Sequence, residues 1–531
     1  MQILLLICLM LACLPIPWPV PPFGFSALQS TLATAGAILA VLLTTALIAH
    51  RTTRRLVTLP ERRAETLRRY DIVRRLHFFC AMAAFGLILY SLGWGWTVKT
   101  VARVPRHDGP PVLAPGAELL ILLPFLIMQA GSWFLFYRVA RMLRESGTSP
   151  AEPFWSRWGY VLFHFRQSLI FVYAPLFFLL IPQGIFRLYP ELENSIWAGI
   201  ACLALVPLFL LLMPLAMPVL LGLRPLPAGP IRYRLEAHAR RLGFRYREIL
   251  VWDTRRGIAN AIVLGIVPQV RYVVFTDQLL QDLRDAEVDA VFGHEVGHIK
   301  HGHMLFYALF LVLSLWLMMA LYGVVQLAEW VSLQRYGNLF MVAPVLFLGS
   351  YMLLVFGFLS RRCERQADLF GCRSGSCGNP DCDGHDEQTT LAPRGKGLCR
   401  TGIRSFIHAL ERVEVLNDLN RDAPRWRGGS AREKLSYGFH LLTGWLSTWQ
   451  HSTIAKRIAF LHRVAADPAV ARRFQSRVWW VKWAIVLVLV GSLATLVAIW
   501  GWEVLLPVNS VEATSTAGLL TVPRISARAV S

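Results

Sequence analysis

Long apolar runs alternate with short polar loops along most of this chain, and two longer polar blocks interrupt the alternation. A helix that crosses a bilayer needs roughly 20 mostly apolar residues. Windows of this length and character lie at 27–49, 77–98, 119–137, 168–186, 196–222, 304–328, 338–359 and 479–506. A weaker window at 2–20 is either a further span or a signal peptide. The pattern predicts a polytopic α-helical membrane protein with about 8–9 spans.

The apolar runs and polar blocks predict six regions. They are an N-terminal membrane region of five to six spans, a first polar block, a two-span hairpin, a second polar block with a cysteine-rich insert, a C-terminal span and a polar tail. Their bounds are 1–222, 223–303, 304–359, 360–477 with the insert at 371–400, 478–506 and 507–531. Reactive polar side chains are therefore expected mainly in the two polar blocks.

Composition and charge agree with a membrane protein and give it an orientation. Hydrophobic residues make up 55% of the chain, mean hydropathy is +0.47, and formal net charge is +21. Arginines concentrate in the loops 50–76 and 138–167, and short cytoplasmic loops collect Lys and Arg. Arginines in loops beside membrane spans, where they face the lipid bilayer surface, account for the net positive charge. We therefore expect no nucleic-acid partner. Although the loop 99–118 runs against the rule, the count places both polar blocks on the cytoplasmic side, at the inner membrane if the source is bacterial.

The stretch 285–303 is a predicted helix that carries paired histidines. A buried stripe repeats there at helical spacing, through Val288, Val291, Phe292 and Val296. His294 and His298 lie one turn apart on the same face, so they can bind one zinc ion. Glu295, adjacent in sequence, can act as general base on a water at that zinc. The alternative is an interfacial cluster of polar histidines without a metal.

A third metal ligand must come from elsewhere on the same membrane face. The hairpin 304–359 returns the chain to that face just before Glu364 and Asp368, which are one helical turn apart. Glu364 can complete a His/His/Glu set, while Asp368 can hydrogen-bond a ligand imidazole. The alternative is that Glu364 is only an exposed charge at a helix start. His301 and His303, beyond the motif, are expected to be structural or interfacial.

Together these motifs resemble the membrane-embedded zinc metallopeptidases that include the heat-shock protease HtpX and the CAAX prenyl endopeptidases. Three patterns between about 225 and 465 carry the resemblance: H-E-x-x-H at 294–298, S-R-x-x-E-x-x-A-D at 360–368 and N-A-x-x-x-G at 260–265. Their order and the hairpin between the zinc motifs also match. The resemblance implies a zincin-type α+β metallopeptidase core on the cytoplasmic side, with a small β-sheet from 247–275.

The resemblance implies further site residues. In the family, a strand through the N-A-x-x-x-G segment pairs with the extended substrate, which makes Asn260 and Ala261 candidate substrate-binding residues. The family also has a late H-P-x-x-x-x-R segment whose His and Arg face the reacting carbonyl. His451 and Arg457 match it, with Ser452 in place of the proline. His451 and Arg457 are therefore candidate catalytic residues beside Glu295.

Peptide-bond hydrolysis is the chemistry that this set of residues favours. We expect an integral-membrane zinc metalloendopeptidase that cuts protein or peptide substrates at the cytoplasmic face, in membrane protein quality control. CAAX-type processing of lipidated peptides is the alternative within the enzyme class. From other classes, a catalytically silent zinc-binding scaffold has no use for Glu295, and a transporter would place its ionisable cluster mid-span rather than at helix ends. The pattern does not bear on the oligomeric state.

A cysteine-rich insert follows the second zinc motif. Its candidate ligands for a second metal are Cys372, Cys377, Cys382, His385 and Cys399. Because disulfides are rare in the cytoplasm and thiolate metal sites are not, a second, structural Zn²⁺ is one interpretation. A disulfide pair and unlinked thiols are the others, since the C-x4-C-x4-C spacing is not that of common zinc fingers.

Overall fold

The structure is a computed structural model of the chain. It describes residues 23–105, 110–145, 154–192, 196–327, 347, 349–379, 382, 384, 397–417 and 452–501. The predicted window at 2–20, the tail after 506, and residues 338–346 and 348 of the window at 338–359 lie outside these residues.

Helices form the N-terminal half. In order they are α1 (Ala27–Thr58), α2 (Arg63–Tyr90), α3 (Trp94–Val101), α4 (Glu118–Glu145), α5 (Arg157–Ser168), α6 (Ala174–Leu188) and α7 (Ile196–Leu221). A short antiparallel pair, β1 (Arg103–Val104) and β2 (Val112–Leu113), precedes α4, and a π-helical turn at Leu169–Tyr173 joins α5 to α6. Buried side chains of α2, α4 and this turn form one apolar core, which includes Phe85, Ile88, Ile121, Phe125 and Val172.

The chain continues into a small sheet and a second group of helices. These elements are β3 (Arg224–Pro225), α8 (Pro230–Arg241), β4 (Glu248–Trp252), β5 (Ala261–Leu264), β6 (Tyr272–Thr276), α9 (Asp277–Asp282), α10 (Asp285–Lys300), α11 (His303–Leu327), α12 (Gly357–Ser374), α13 (Arg400–Leu416), α14 (Ile454–Ala466) and α15 (Pro468–Trp500). A π-helical turn at Met352–Phe356 leads into α12.

Four helices in the described part of the chain are long and apolar enough to cross a membrane. They are Ala27–Thr58, Glu65–Tyr90, Glu118–Arg144 and Pro468–Trp500. A fifth results if Asp285–Lys300 and His303–Met318, bent by 47° at their junction, count as one span. Internal prolines, one in α6 and three in α7, each remove a backbone hydrogen bond in the predicted windows 168–186 and 196–222. The total of 8–9 spans stays a prediction.

The sheet has the strand order β3-β4-β6-β5. Strand β4 runs parallel to β6, whereas β5 is antiparallel to β6 and forms one edge. The expected strand through the N-A-x-x-x-G segment is β5, and a 3-10 turn at Pro268–Val270 joins it to β6. Gly265 ends β5 with φ 96°, and a Cβ there would lie 2.2 Å from the Val270 carbonyl oxygen, so only glycine fits this turn.

Helix α10 lies between the sheet and α12. Phe275 of β6 and Phe292 of α10 are both fully buried, with ring centroids 6.2 Å apart. On the opposite side, glycines let α10 approach α12 closely: a Cβ on Gly297 would lie 2.9 Å from Phe370 Cβ. This packing fixes the two zinc-motif helices against each other. The prediction of one helix through 285–303 is wrong at its end, because α10 stops at Lys300 and the chain turns at 301–302.

Candidate metal centre

Three side chains from α10 and α12 converge at one point. The Nε2 atoms of His294 and His298 are 3.2 Å apart. Glu364 Oε2 lies 3.7 Å from His294 Nε2, and Glu364 Oε1 lies 3.7 Å from His298 Nε2. His294 and Glu364 are buried, and His298 is half-buried. The structure thus brings the three predicted ligands together.

The separations of these atoms suit a tetrahedral zinc site. Zn–N and Zn–O bonds of about 2.0–2.1 Å place neighbouring donors of a tetrahedron roughly 3.3–3.4 Å apart. The observed distances, 3.2 and 3.7 Å, bracket that value without moving a helix. Two imidazoles and one carboxylate are also a donor set that zinc uses when a fourth position stays open. His294, His298 and Glu364 therefore fit a zinc ion.

Asp368 and Arg457 form a buried ion pair behind His294. Asp368 Oδ1 lies 2.9 Å from His294 Nδ1. Arg457 on α14 donates from Nε to Asp368 Oδ2 at 2.9 Å and from Nη2 to Oδ1, and its Nη1 lies 3.6 Å from Glu364 Oε2. Burial alone would raise the pKa of Asp368. Arg457 and His294 lower it by more than burial raises it, so this pKa lies below its ordinary value. An anionic Asp368 keeps the proton of His294 on Nδ1 and leaves Nε2 for a metal.

Glu295 is held by the edge strand of the sheet. Its Oε2 accepts a hydrogen bond from the backbone N–H of Val263 at 3.0 Å. This bond directs the carboxylate toward the space between β5 and the ligand cluster, and Glu295 remains partly exposed. Glu295 follows His294 directly on α10 and is not one of the three residues whose donor atoms group together.

His303, which was expected to be structural or interfacial, contacts the candidate metal ligand His298. It is fully buried, and its Nδ1 lies 3.0 Å from Nδ1 of His298. Its Nε2 lies 3.0 Å from Gln366 Oε1 on α12. Its ring is buried and has a hydrogen-bond partner at each nitrogen. With Nε2 of His298 turned to a metal, His298 donates from Nδ1 to His303, and His303 donates to Gln366.

Lys482 extends this hydrogen-bond chain into α15. It is buried, and its Nζ donates to Gln366 Oε1 and to the backbone carbonyl of His301, each at 3.0 Å. Gln366 Oε1 therefore accepts from both His303 and Lys482. The sequence offered no signal for this residue, because a lone lysine at the start of an apolar run is usually an interfacial charge.

The two predicted substrate-binding residues lie at the start of the edge strand, Ala261 as its first residue and Asn260 directly before it. The backbone of Asn260 faces β6, where its carbonyl accepts from Thr276 N at 3.0 Å, and its side chain is exposed. Ala261 buries its side chain in the core, and the antiparallel register turns its backbone N–H and C=O away from β6. Directly before Asn260, the backbone of Ala259 pairs with Asn417: Ala259 N donates to Asn417 Oδ1 at 2.9 Å, and Asn417 Nδ2 donates to Ala259 O at 2.8 Å.

Of the remaining predicted site residues, two histidines are not described by the structure and three of the four cysteines lie together. His451 and His385 lie outside the described residues. Cys377, Cys382 and Cys399 come together, with their sulfur atoms within 4.8 Å of one another. Cys372 is not part of that group, because it is fully buried in the core between α12 and α13.

The region that contains this candidate centre is similar to known proteins. Residues 225–463 match the family model of peptidase family M48. A CAAX prenyl protease 1 homolog of Arabidopsis thaliana is 32% identical over 116 residues, which are 22% of this chain and 27% of that protein. CAAX prenyl protease 1 of Saccharomyces cerevisiae is 28% identical over 125 residues, 23% of this chain and 26% of that protein.

A protease HtpX homolog of Methanocaldococcus jannaschii is 28% identical over 154 residues, which are 26% of this chain and 50% of that protein. The aligned segments thus span between 26% and 50% of these relatives' own lengths. Among solved structures, the crystal structure of S. mikatae Ste24p aligns with a TM-score of 0.45 and 14% identity, covering 81% of this chain and 98% of that one.

Proposed function

We propose that this chain, whose residues 225–463 match peptidase family M48, is an integral-membrane zinc metalloendopeptidase. The observation that carries the proposal is the position of Glu295, a carboxylate beside three metal-ligand atoms and outside their set. A site that only binds zinc for structure needs no such base. The helices of membrane-spanning length support a membrane location.

The residues divide the work of hydrolysis among them. A zinc ion held by His294, His298 and Glu364 would polarise the scissile carbonyl and lower the pKa of a water toward about 7. Glu295 takes the proton of the attacking water and later delivers it to the leaving amine. The Val263 N–H holds one oxygen of Glu295 and so fixes the direction of this transfer.

Arg457 is assigned a positioning role in this proposal. Its guanidinium is buried against Asp368 and Glu364, and these contacts support alignment of the ligands rather than direct contact with the carbonyl. The role of His451, beside the carbonyl, remains part of the proposal on the strength of its spacing from Arg457 alone.

Substrate binds, in this proposal, as an extended segment along the free edge of β5. Asn417 occupies the backbone of Ala259, and Glu295 occupies the N–H of Val263. Ala261 lies between them with its N–H and C=O turned outward, so it is the residue that pairs with the substrate backbone. The exposed side chain of Asn260 lies next to it.

The proposed setting is the cytoplasmic face of a membrane, with unfolded membrane proteins as substrates. The arginine-rich loops support that orientation. Processing of lipidated, CAAX-type peptides is the second candidate, and the identity with CAAX prenyl protease 1 relatives favours it. A pair of peptides with one sequence, prenylated and unprenylated, separates the two: CAAX-type processing requires that only the prenylated peptide be cut.

Cleavage of an unfolded reporter protein by the detergent-purified chain tests the function. Glu295→Gln keeps the shape of the side chain and an oxygen for the Val263 N–H, but it removes the base. We expect wild type and variant to hold equal zinc at the His/His/Glu site, while the variant cuts about 10²- to 10⁴-fold more slowly. Glu411→Gln, an exposed glutamate on α13, is the matched control and should cut like wild type.

Two results would contradict the proposal. Equal cleavage by wild type and Glu295→Gln would mean that the activity belongs to another site or to a contaminant. Zinc binding without cleavage of either the reporter or the prenylated peptide would favour a silent scaffold.

A further inference from the structure

We propose that Cys377, Cys382 and Cys399 form a second metal site, for a thiophilic divalent ion such as Zn²⁺, separate from the His/His/Glu centre. The three sulfur atoms lie within 4.8 Å of one another. Zn–S bonds of about 2.3 Å place tetrahedral neighbours roughly 3.8 Å apart. Small side-chain rotations therefore bring the thiolates to one ion.

The site is built around the start of α13. Cys399 is the N-cap of that helix, and its Sγ accepts a hydrogen bond from the backbone N–H of Gly402 at 3.3 Å. Helix N-termini and N–H donors both stabilise a thiolate over a thiol. Cys382 lies across the same helix turn, with its Sγ 3.8 Å from Thr401 Oγ1 and its carbonyl accepting from that hydroxyl at 3.3 Å.

Close packing holds the third thiol in place. Ser376, just before Cys377, accepts from Cys399 N at 3.1 Å and donates to the carbonyl of Cys372 at 2.8 Å. A Cβ on Gly402 would lie 2.4 Å from Ser376 Oγ, so only glycine permits this contact. These contacts fix the backbone of Cys399 and of Ser376, the neighbour of Cys377, before any ion binds, which favours metal binding because less order is lost.

A metal suits this cluster better than a disulfide does. Three thiols at one point leave one unpaired whichever two are oxidised, whereas a single ion uses all three. Cys399 is fully buried, and Cys377 and Cys382 are partly exposed, so the ion has an entry path and a protected anchor.

The ion would connect two elements of the candidate active site. Cys377 follows the end of α12, the helix of Glu364, and Cys399 starts α13, which ends at Asn417 on the edge strand. The site therefore clamps the metal-ligand helix to the element that holds β5. Its existence does not depend on proteolysis by the chain.

Metal content and cobalt absorption of the reduced, full-length chain in detergent test the proposal. We expect two zinc ions per wild-type chain, one after Cys382→Ser and one after His298→Ala. Cobalt in place of zinc should give thiolate-to-metal absorption in wild type and in His298→Ala, because only the cysteine site has sulfur ligands. Cys80→Ser removes an exposed cysteine far from the cluster in sequence and should retain both ions.

The cobalt spectrum of the wild-type chain tests for the cysteine site even if a variant folds poorly. Wild-type chain without sulfur absorption after full reduction, and with zinc only at the His/His/Glu site, would overturn the proposal. Recovery of two of the three cysteines as a disulfide, with no metal uptake after its reduction, would overturn it in favour of a covalent link.

Discussion

His303 reaches the metal centre only because a helix ends between it and His298. In a continuous α-helix, five residues turn the side chain about 140° away from the starting face. Here α10 stops at Lys300, Gly302 takes φ 64°, and the new direction of α11 brings His303 back over His298. The bend thus supplies a hydrogen-bond partner for the ligand nitrogen that faces away from the metal.

Replacing His303 should weaken zinc binding. His303→Phe keeps the ring volume but leaves Nδ1 of His298 and Oε1 of Gln366 without this partner. We expect zinc affinity to fall about 10- to 100-fold, the usual cost of losing such a partner. Competition with a chelator of known affinity measures it, in a Cys382→Ser background that leaves one zinc site.

The matched control is His301→Phe, two residues away. His301 contacts Lys482 through its backbone carbonyl, which the substitution keeps. Affinity should then stay near that of the parent. An equal loss in both variants would indicate general damage to the bend rather than a specific role of the His303 ring.

At this scale the sequence predicts ligands better than their partners. The meeting of the candidate ligands His294, His298 and Glu364 could be predicted because one-turn spacing and the returning hairpin bring them to one face. His303 was out of reach since its position depends on a helix break, and Asn417 since it acts through a contact 158 residues away. Such contacts leave no periodic pattern in the sequence.

Among the elements, the approach of α10 to α12 decides whether the three ligands meet. Small residues line this contact. A Cβ on Gly293 would lie 1.9 Å from Ser374 Oγ, and one on Gly297 would lie 2.9 Å from Phe370 Cβ and 3.1 Å from Ala367 Cα. The last two atoms cannot rotate aside, so a larger residue at Gly297 must push the helices apart. The ligand distances depend on the same separation.

Gly297→Ala should therefore lower both stability and zinc affinity. We expect a loss of about 1–3 kcal/mol in the free energy of unfolding, the usual cost of overpacking, together with weaker zinc binding. Gly491→Ala in α15 is the control, because nothing lies within 4 Å of a Cβ there and alanine favours helix. If Gly297→Ala left the unfolding midpoint and the zinc affinity unchanged, the two helices could move apart without cost.

The elements themselves follow closely from local patterns, but their ends do not. Apolar runs rich in β-branched residues, bounded by turn residues, are enough for β5 and β6, and the apolar stripe is enough for most of α10. Its end at Lys300 follows instead from the left-handed Gly302 and from the packing of His303 against α12. Hydropathy alone likewise does not register the three prolines inside α7, each of which removes a backbone hydrogen bond.

Across the whole molecule, the C-terminal helix is joined to the metal centre. Lys482 of α15 donates a hydrogen bond to the side-chain oxygen of Gln366 on α12. The same oxygen accepts a hydrogen bond from His303. Beside it, Trp483 packs edge-on against Phe306 of α11, with centroids 5.4 Å apart. A helix of membrane-spanning length therefore holds residues from both zinc-motif regions in register. Zinc binding and membrane-helix packing should then be coupled.

Zinc should stabilise the whole chain independently of catalysis. Its ligands lie on α10 and α12, so an ion that binds only the folded state raises the free energy of unfolding, by about 2.7 kcal/mol at a free concentration of 100 times Kd. In the Cys382→Ser background, thermal unfolding with zinc and with chelator measures this difference. Glu295→Gln should respond like its parent, because Glu295 is not a ligand, whereas His298→Ala should lose the response. If Glu295→Gln also lost it, Glu295 would have to be counted among the ligands, and its role as base would fall.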